Sequence, residues 1–153
     1  MNVLVTGANG FIGSHLTQLL VKEGHAVRAL LLPGTALGAI DGLPIDVVYA
    51  DITQPETFQQ AFQGIEVVYH LAAMPSVAWG IKVFEVNFFG TKNVLDEAVN
   101  CGVKRIVFMS SLVVHGFKHF SDADENTPKL TIGTFTRPYA ASKLMGERLM
   151  EEY

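Results

Sequence analysis

The sequence predicts an α/β fold: a parallel β-sheet covered by helices on both faces, in a doubly wound arrangement. Short, nearly all-apolar runs alternate along the chain with segments of helical periodicity. Continuous apolar runs are typical of parallel strands that are buried on both faces, and right-handed crossovers between such strands place helices on both sides of the sheet. A length of 153 residues is that of one domain.

Five apolar runs are predicted as strands. They cover residues 2–6, 26–32, 46–50, 65–73 and 105–109. The first predicted helix follows the first strand, because Ile12, Leu16, Leu19 and Leu20 share one face at helical spacing. Gly24 stands where a helix commonly ends.

The later helices are predicted from the positions of proline and glycine and from the spacing of apolar residues. Pro55 suits a first helical turn, so a short helix is expected from there to Gly64. A longer helix is expected over residues 84–99, and a last one from about Tyr139. Residues 33–43 are glycine-rich and are compatible with a poorly formed helix or a loop, and residues 116–137 are predicted as a loop.

Composition excludes several classes of function. Hydrophobic residues make up 49% of the chain and charged residues 17%, which excludes a disordered chain. The net charge of −4, with no basic stripe, disfavours a nucleic-acid partner. No apolar run is long enough for a membrane span and no signal peptide is apparent. A single cysteine, Cys101, provides neither a disulfide nor a metal site, so a cytoplasmic protein without metal is expected.

The turn after the first strand carries three glycines, Gly7, Gly10 and Gly13, around Phe11 and Ile12. In such a turn the first glycine permits a tight bend, the second lets the backbone approach a pyrophosphate, and the third permits close packing of helix on strand. The N-terminus of the following helix then attracts the anion. These five residues are predicted to contact a dinucleotide; the alternative is a plain tight turn.

From this motif onward the chain resembles the extended branch of the short-chain dehydrogenase/reductase superfamily, and within it the NAD-dependent epimerase/dehydratase family. That branch includes nucleotide-sugar epimerases and dehydratases, hydroxysteroid dehydrogenases and dihydroflavonol-type reductases. Four further motifs follow in the family's order, and the resemblance covers essentially the whole chain. It implies a Rossmann-type sheet, a nicotinamide cofactor and a small-molecule substrate. It also implies that residues 1–153 are the dinucleotide-binding domain, the N-terminal part of a longer enzyme whose substrate-binding C-terminal part is absent here.

The resemblance implies further cofactor contacts at the strand ends. Asp51 would accept a hydrogen bond from the adenine amino group and Ile52 would contact the ring through its backbone; alternatively, Asp51 is an acid that helps start the following helix. Leu71, Ala72 and Ala73 would leave room for the ribose and phosphates, and Asn87 would organise backbone hydrogen bonds beside the site. His70 is interpreted as a structural residue of the core.

The pair Tyr139 and Lys143 is four residues apart, which is one turn on one face of a helix. An ammonium one turn from a phenol favours the phenolate that a base requires. By resemblance, Tyr139 is the proton-transferring residue, Lys143 orients the cofactor ribose, and Ser111 hydrogen-bonds the substrate oxygen. His115 replaces the aromatic residue that the family has four positions after this serine. The alternatives are a surface Tyr–Lys pair and a serine that satisfies local backbone.

The sequence does not distinguish clearly between NAD and NADP and does not identify the substrate. The second strand should end with an acid for NAD or a cation for NADP, but the position falls at Leu31 or Leu32; because no cation is well placed, NAD is favoured and NADP is not excluded. Residues 74–79 and 116–137 are expected to line the substrate mouth.

The leading interpretation is an NAD(P)-dependent epimerase, dehydratase or dehydrogenase that transfers hydride at a hydroxyl or carbonyl carbon of a nucleotide sugar or a similar small substrate. The alternative is a non-catalytic dinucleotide-binding module that senses redox state or binds a protein. The resemblance also suggests a homodimer formed through two helices. Six apolar residues were considered for that surface: Phe84, Phe88, Phe89, Leu144, Leu149 and Met150.

Overall fold

The computed structural model describes residues 1–75, 80–116, 123–131 and 137–153. Parts of both segments predicted to line the substrate mouth, residues 76–79, 117–122 and 132–136, lie outside the described residues. Within the described ranges, one five-stranded parallel sheet has the order β3-β2-β1-β4-β5. Its strands are β1 Asn2–Thr6, β2 Ala26–Leu31, β3 Asp46–Tyr49, β4 Val67–His70 and β5 Arg105–Phe108.

Helices connect these strands. The α-helices are α1 Phe11–Lys22, α2 Lys82–Phe84, α3 Thr91–Asn100 and α4 Pro138–Glu152, and a π-helical segment, Glu85–Gly90, joins α2 to α3. Short 3₁₀ turns lie at Gly38–Ile40, Pro55–Thr57, Gln59–Phe62 and Leu112–His115. The predicted doubly wound Rossmann-type sheet is therefore confirmed.

Two predicted elements differ from those observed. The helix expected from Pro55 to Gly64 is a pair of 3₁₀ turns separated at Phe58, whose backbone is non-helical while its side chain is fully buried in the core. The fourth strand ends at His70 rather than at Ala73. Beyond His70, Leu71 N is shared between Thr6 O at 3.3 Å and the Thr6 hydroxyl, and Ala72 N donates to the same hydroxyl, so a side chain replaces the backbone acceptors that would continue the strand pairing.

The core consists of two apolar clusters, one on each face of the sheet. Leu4 belongs to one cluster, whereas its neighbours Val3 and Val5 belong to the other. Alternate residues of a strand point to opposite faces, and here both faces are buried. This explains why the strands contain few polar residues.

The helix surface proposed for a dimer is partly used inside the chain. Leu144 and Leu149 are 2% and 7% exposed, so the expectation that they form a subunit surface is wrong: they pack within this domain. Phe89 is 54% exposed. In the described part of the chain no helix is both long and apolar enough to cross a membrane.

The parallel register brings the carboxyl ends of the strands to one edge. Thr6 is level with Leu30 on one side and with His70 on the other, and His70 is level with Phe108. In open α/β sheets, ligands bind at this edge where the strand order reverses. The reversal here lies between β1 and β4.

Candidate cofactor cleft and active site

The glycine turn between β1 and α1 is built by close backbone contacts. Gly7 has a φ of +68°, and a Cβ added there would lie 3.0 Å from the Ala72 backbone. A Cβ on Gly13 would lie only 2.1 Å from the Gly7 carbonyl oxygen. Both positions therefore require glycine, one for its left-handed backbone and one for the approach of α1 to the turn.

The N-terminus of α1 has unused hydrogen-bond donors. The first helical bond runs from Ser14 N to Gly10 O at 2.8 Å, and Gly10 supplies no side-chain cap. Among the described residues, the N–H groups of Phe11, Ile12 and Gly13 have no acceptor. Phe11 and Ile12 are 85% and 50% exposed, and neither lines the cleft described below. Free N–H groups at the start of a 12-residue helix suit a phosphate.

A cleft of about 410 Å³ lies over the reversal point of the sheet. It is large enough for a substantial part of a dinucleotide. Seven of the residues predicted to contact the cofactor line it: Gly7, Gly10, Asp51, Ile52, Leu71, Ala72 and Ala73. Leu32, one of two positions expected at the end of β2, and Met74, expected at the substrate mouth, also line it. Five further residues were not predicted: Asn9, Leu30, Ala50, Lys82 and Val86.

Asp51 stands at the end of the cleft beside β3. Its Oδ1 accepts hydrogen bonds from Thr53 N at 2.9 Å and Thr53 Oγ1 at 2.8 Å. These bonds form a local turn and fix the carboxylate. Oδ2 has no bond among the described residues, so it can accept one from a ligand.

His70 directly precedes Leu71 and Ala72, whose backbone faces Gly7. The ring is 1% exposed, with Nδ1 2.7 Å from Thr6 Oγ1 and Nε2 2.9 Å from Thr91 Oγ1. The Thr91 hydroxyl donates to Asn87 O at 2.7 Å, so it accepts from Nε2–H, and Nδ1 accepts from the Thr6 hydroxyl. Burial, and then the charge of Lys143, lowers the pKa of His70 to about 3. The interpretation of His70 as a structural core residue agrees with this geometry.

Asn87 connects the cleft to α4. Its side chain is paired with both backbone groups of Met74: Oδ1 accepts from N at 2.7 Å and Nδ2 donates to O at 3.2 Å. Nδ2 also donates to Ser142 Oγ at 3.1 Å. Asn87 lies in the π-helical segment, a distortion that is frequent at functional sites. Asn87 does not line the cleft itself but holds the backbone of Met74, which does.

Lys143 is a buried cation at the end of β5. It is 3% exposed, and its Nζ donates to Met109 O at 2.8 Å and lies 4.9 Å from the Phe108 ring centre. Burial lowers the pKa of Lys143 to about 8. An ammonium group has three donors, so two remain without an acceptor in the described residues. The Nζ lies 6.0 Å from the ring centre of Tyr139, which is half-buried.

Ser111 follows β5 and caps the 3₁₀ turn Leu112–His115. Its Oγ accepts from Val113 N at 3.5 Å, which leaves the hydroxyl proton without an acceptor among the described residues. Ser110, its neighbour, donates instead to Glu147 Oε1. The bond from Lys143 to Met109 O places α4 beside the end of β5, two residues before Ser111; among the described residues no hydrogen bond joins Ser111 to Tyr139 or to Lys143.

Of the two candidates for the end of β2, the structure selects one. Leu31 is fully buried, whereas Leu32 is 53% exposed and lines the cleft. A leucine supplies neither the acid nor the cation expected there. Asn9, from the glycine turn, donates to Ala36 O at 2.9 Å and holds the loop that follows.

Comparison with known proteins identifies the family. The model of the NAD dependent epimerase/dehydratase family matches residues 3–153. The chain is 34% identical over 128 residues to sterol demethylase protein B of Methylococcus capsulatus, with 82% of this chain and 39% of that protein covered. It is 34% identical to the 3-beta-hydroxysteroid dehydrogenase of Mycolicibacterium neoaurum, over 97% of this chain and 42% of that protein.

A solved structure agrees. The UDP-glucose 4-epimerase of Bifidobacterium longum, in complex with NAD+ and UDP, has a TM-score of 0.86 at 30% identity and covers 99% of this chain and 48% of its own. The chain therefore spans half or less of the length of these relatives. The predictions of the family and of its cofactor, NAD, agree with these findings. A family match over nearly the whole chain, with relatives at least 30% identical, shows that the chain belongs to the NAD dependent epimerase/dehydratase family.

Proposed function

We propose that this chain binds NAD in the cleft and that Ser111, Tyr139 and Lys143 carry out proton transfer during oxidation or reduction of a hydroxyl or carbonyl carbon. The observation that carries the proposal is the buried Lys143 ammonium, one helical turn from Tyr139. Burying an ammonium with one hydrogen bond is costly. Such a group is retained mainly where it has a functional partner, and the ribose hydroxyls of a dinucleotide would supply the missing acceptors.

The residues present fit the dinucleotide. The free N–H groups of Phe11, Ile12 and Gly13 would bind its diphosphate, Asp51 Oδ2 would accept from the adenine amino group, and the small side chains of Ala72 and Ala73 leave space between. When bound, NAD supplies the hydride acceptor. The NAD dependence of the family and the NAD in the related epimerase structure support this assignment.

The proton moves at Tyr139 Oη. As a substrate hydroxyl is oxidised, the phenolate takes its proton, and in reduction the phenol returns it. Ser111 donates its free hydroxyl proton to the substrate oxygen, whose charge changes during the step. The Lys143 ammonium stabilises the phenolate and orients the ribose.

The substrate proposed is a nucleotide sugar or a sterol-like alcohol. The first follows the related UDP-glucose 4-epimerase, and the second follows the related 3-beta-hydroxysteroid dehydrogenase. Both substrate classes present a secondary carbinol, which is the group this site needs.

The experiment compares wild type with Tyr139→Phe in the complete encoded protein. NAD binding is measured by calorimetry, and turnover is measured with UDP-glucose and with a 3β-hydroxysteroid. We expect Tyr139→Phe to lower kcat by about 100-fold or more with the NAD Kd within about 3-fold, because the phenol is not used to hold the cofactor. Equal kcat in the two proteins would refute the assignment of Tyr139.

A homodimer in the cytoplasm remains part of the proposal. Phe89, in the π-helical segment between α2 and α3, is the most exposed of the six residues suggested for the interface. A free Cys101 thiol suits a reducing compartment. Sedimentation of wild type and Phe89→Glu tests the dimer. An equal mass for both proteins contradicts an interface at Phe89.

A further inference from the structure

Two hydrogen bonds from α4 hold the segment that carries Ser111. Met109 O accepts from Lys143 Nζ at 2.8 Å, and Ser110 Oγ donates to Glu147 Oε1. Lys143 and Glu147 are four residues apart, so they project from the same face of α4 on successive turns. Two adjacent residues of the strand end are therefore anchored from two adjacent turns of the helix, immediately before Ser111.

Close packing brings Glu147 to Ser110. Gly146 faces β5, and a Cβ added there would lie 2.7 Å from Phe108 Cζ, so α4 approaches the end of β5 closely at this position. The Glu147 side chain is 17% exposed. A carboxylate so placed needs partners: Oε1 has Ser110, and Oε2 lies 2.7 Å from Lys129 Nζ.

The two partners of Glu147, Lys129 and Ser110, differ in exposure and in position relative to the 3₁₀ turn. Lys129 is 43% exposed and also lies 3.8 Å from Glu151; exposed ion pairs contribute little to stability. Ser110 is half-buried and directly precedes the cap of the 3₁₀ turn. Val114 N donates to Ser111 O at 3.1 Å, so Ser111 is held by the 3₁₀ turn on one side and follows the anchored Ser110 on the other.

We propose that Glu147 is a positioning residue: by accepting the hydrogen bond of Ser110, it fixes the backbone that presents the Ser111 hydroxyl to the substrate. The inference rests on the proposed function for the role of Ser111 in turnover. Whether Glu147 holds the 3₁₀ turn does not depend on that role, and amide hydrogen exchange measures it separately.

The experiment uses four single variants of the complete encoded protein and one double variant, which combines Glu147→Ala with Ser110→Ala. Glu147→Ala and Ser110→Ala each remove the bond, Glu147→Gln keeps an acceptor for Ser110, and Lys129→Met removes only the ion pair. Amide hydrogen exchange at Val113 and Val114 reports the turn. The NAD Kd, kcat and KM report function, with the substrate that wild type turns over among UDP-glucose and a 3β-hydroxysteroid.

Glu147→Ala and Ser110→Ala should each raise exchange at the turn by about 10-fold, the loss of one hydrogen bond. They should lower kcat by about 10- to 100-fold, as expected for a displaced substrate-orienting group, with KM and the NAD Kd within about 3-fold. The double variant should be no worse than either single one, because the two residues act through one bond. Glu147→Gln should restore both exchange and kcat to within about 3-fold of wild type, and Lys129→Met should match wild type.

Several results would overturn the inference. Unchanged exchange in both alanine variants, additive losses in the double variant, or a Lys129→Met protein as impaired as Glu147→Ala would each do so. Should Glu147→Ala fail to fold, Ser110→Ala and Glu147→Gln still decide the question. Failure of wild type to bind NAD would refute the proposed function, while the exchange data would still show whether Glu147 holds the turn.

Discussion

Substitution of Gly13 by alanine tests the construction of the glycine turn. An added Cβ would lie 2.1 Å from Gly7 O and 3.0 Å from Ala8 Cα. Non-bonded heavy atoms prefer separations of about 3.5 Å, so α1 must move away from the turn by about 1 Å. Overpacking of this kind costs about 1–3 kcal/mol, and the better helix propensity of alanine recovers up to about 1 kcal/mol.

The expected net effect of Gly13→Ala is a loss of about 2 kcal/mol in the free energy of unfolding. For a chain of this size that lowers Tm by about 4–8 °C. The same movement withdraws the N–H groups of α1 from the position proposed for the diphosphate. Losing one hydrogen bond to a charged group, about 1.5–3 kcal/mol, weakens NAD binding by roughly 10- to 100-fold.

Gly10→Ala is the matched control. Gly10 has a φ of −71°, which alanine adopts freely, and its added Cβ would lie 3.2 Å from Gly7 O, a contact relieved by small shifts. The new methyl group would stand on the wall of the cleft. We expect Tm to change by less than about 2 °C while NAD affinity falls by about 10-fold. Thermal melts and calorimetry measure both. A Gly13→Ala protein with the Tm and NAD Kd of wild type would refute the reasoning.

Three further predictions, two of them substitutions, follow from the site. Lys143→Met should raise the free energy of unfolding at pH 7 by about 1–3 kcal/mol, because burial lowers the pKa of Lys143 to about 8. This gain in stability should shrink above pH 8, because the folded wild type then loses a proton that the unfolded chain keeps. A gain that is constant with pH contradicts this. His70, with its pKa lowered to about 3, should remain the neutral Nε2–H tautomer at pH 5 in nitrogen NMR spectra. Stability should then fall as the pH drops below the ordinary histidine value, because only the unfolded state takes up the proton; a protonated ring at pH 5 contradicts this. Leu32→Asp should lower NADP affinity relative to NAD by about 10-fold through charge repulsion, measured by calorimetry; an equal change for both cofactors contradicts a role for this position.

The sheet could be predicted because its chemistry is local. The inner strands β1 and β2 are largely buried and the outer strands β3 and β5 are half-exposed, yet all carry apolar runs that mark them as strands, and the glycine spacing marks the turn between β1 and α1. The end of β4 could not be predicted in this way. Leu71 and Ala72 continue the apolar run, but their N–H groups donate to the side chain of Thr6, 65 and 66 residues away, where a backbone acceptor would otherwise continue the strand pairing. A hydrogen bond over that distance leaves no trace in local periodicity.

The candidate site, like the sheet, was predicted only in part. Ser111, Tyr139 and Lys143 remain a prediction as a set; the structure brings Lys143 of α4 to Met109 O, two residues before Ser111. Glu147 was missed, although its position one turn after Lys143 was a usable signal. Leu144 and Leu149 were considered for a dimer surface because an apolar helix face looks the same whether it meets a partner or its own sheet; only the packing of α4 distinguishes the two.

The distribution of charge around Phe108 explains why two basic residues can share this part of the core. The His70 ring stacks on Phe108 with centres 5.8 Å apart, and Lys143 Nζ lies 4.9 Å from the same ring centre. If both groups were protonated, two buried positive charges would repel one another. Thr6 Oγ1 accepts from Leu71 N and Ala72 N at 3.2 and 3.1 Å, so it has no lone pair left for a proton on His70 Nδ1. The hydrogen bonds therefore keep His70 neutral, and the single buried positive charge stays on Lys143, beside the phenol that it is proposed to serve.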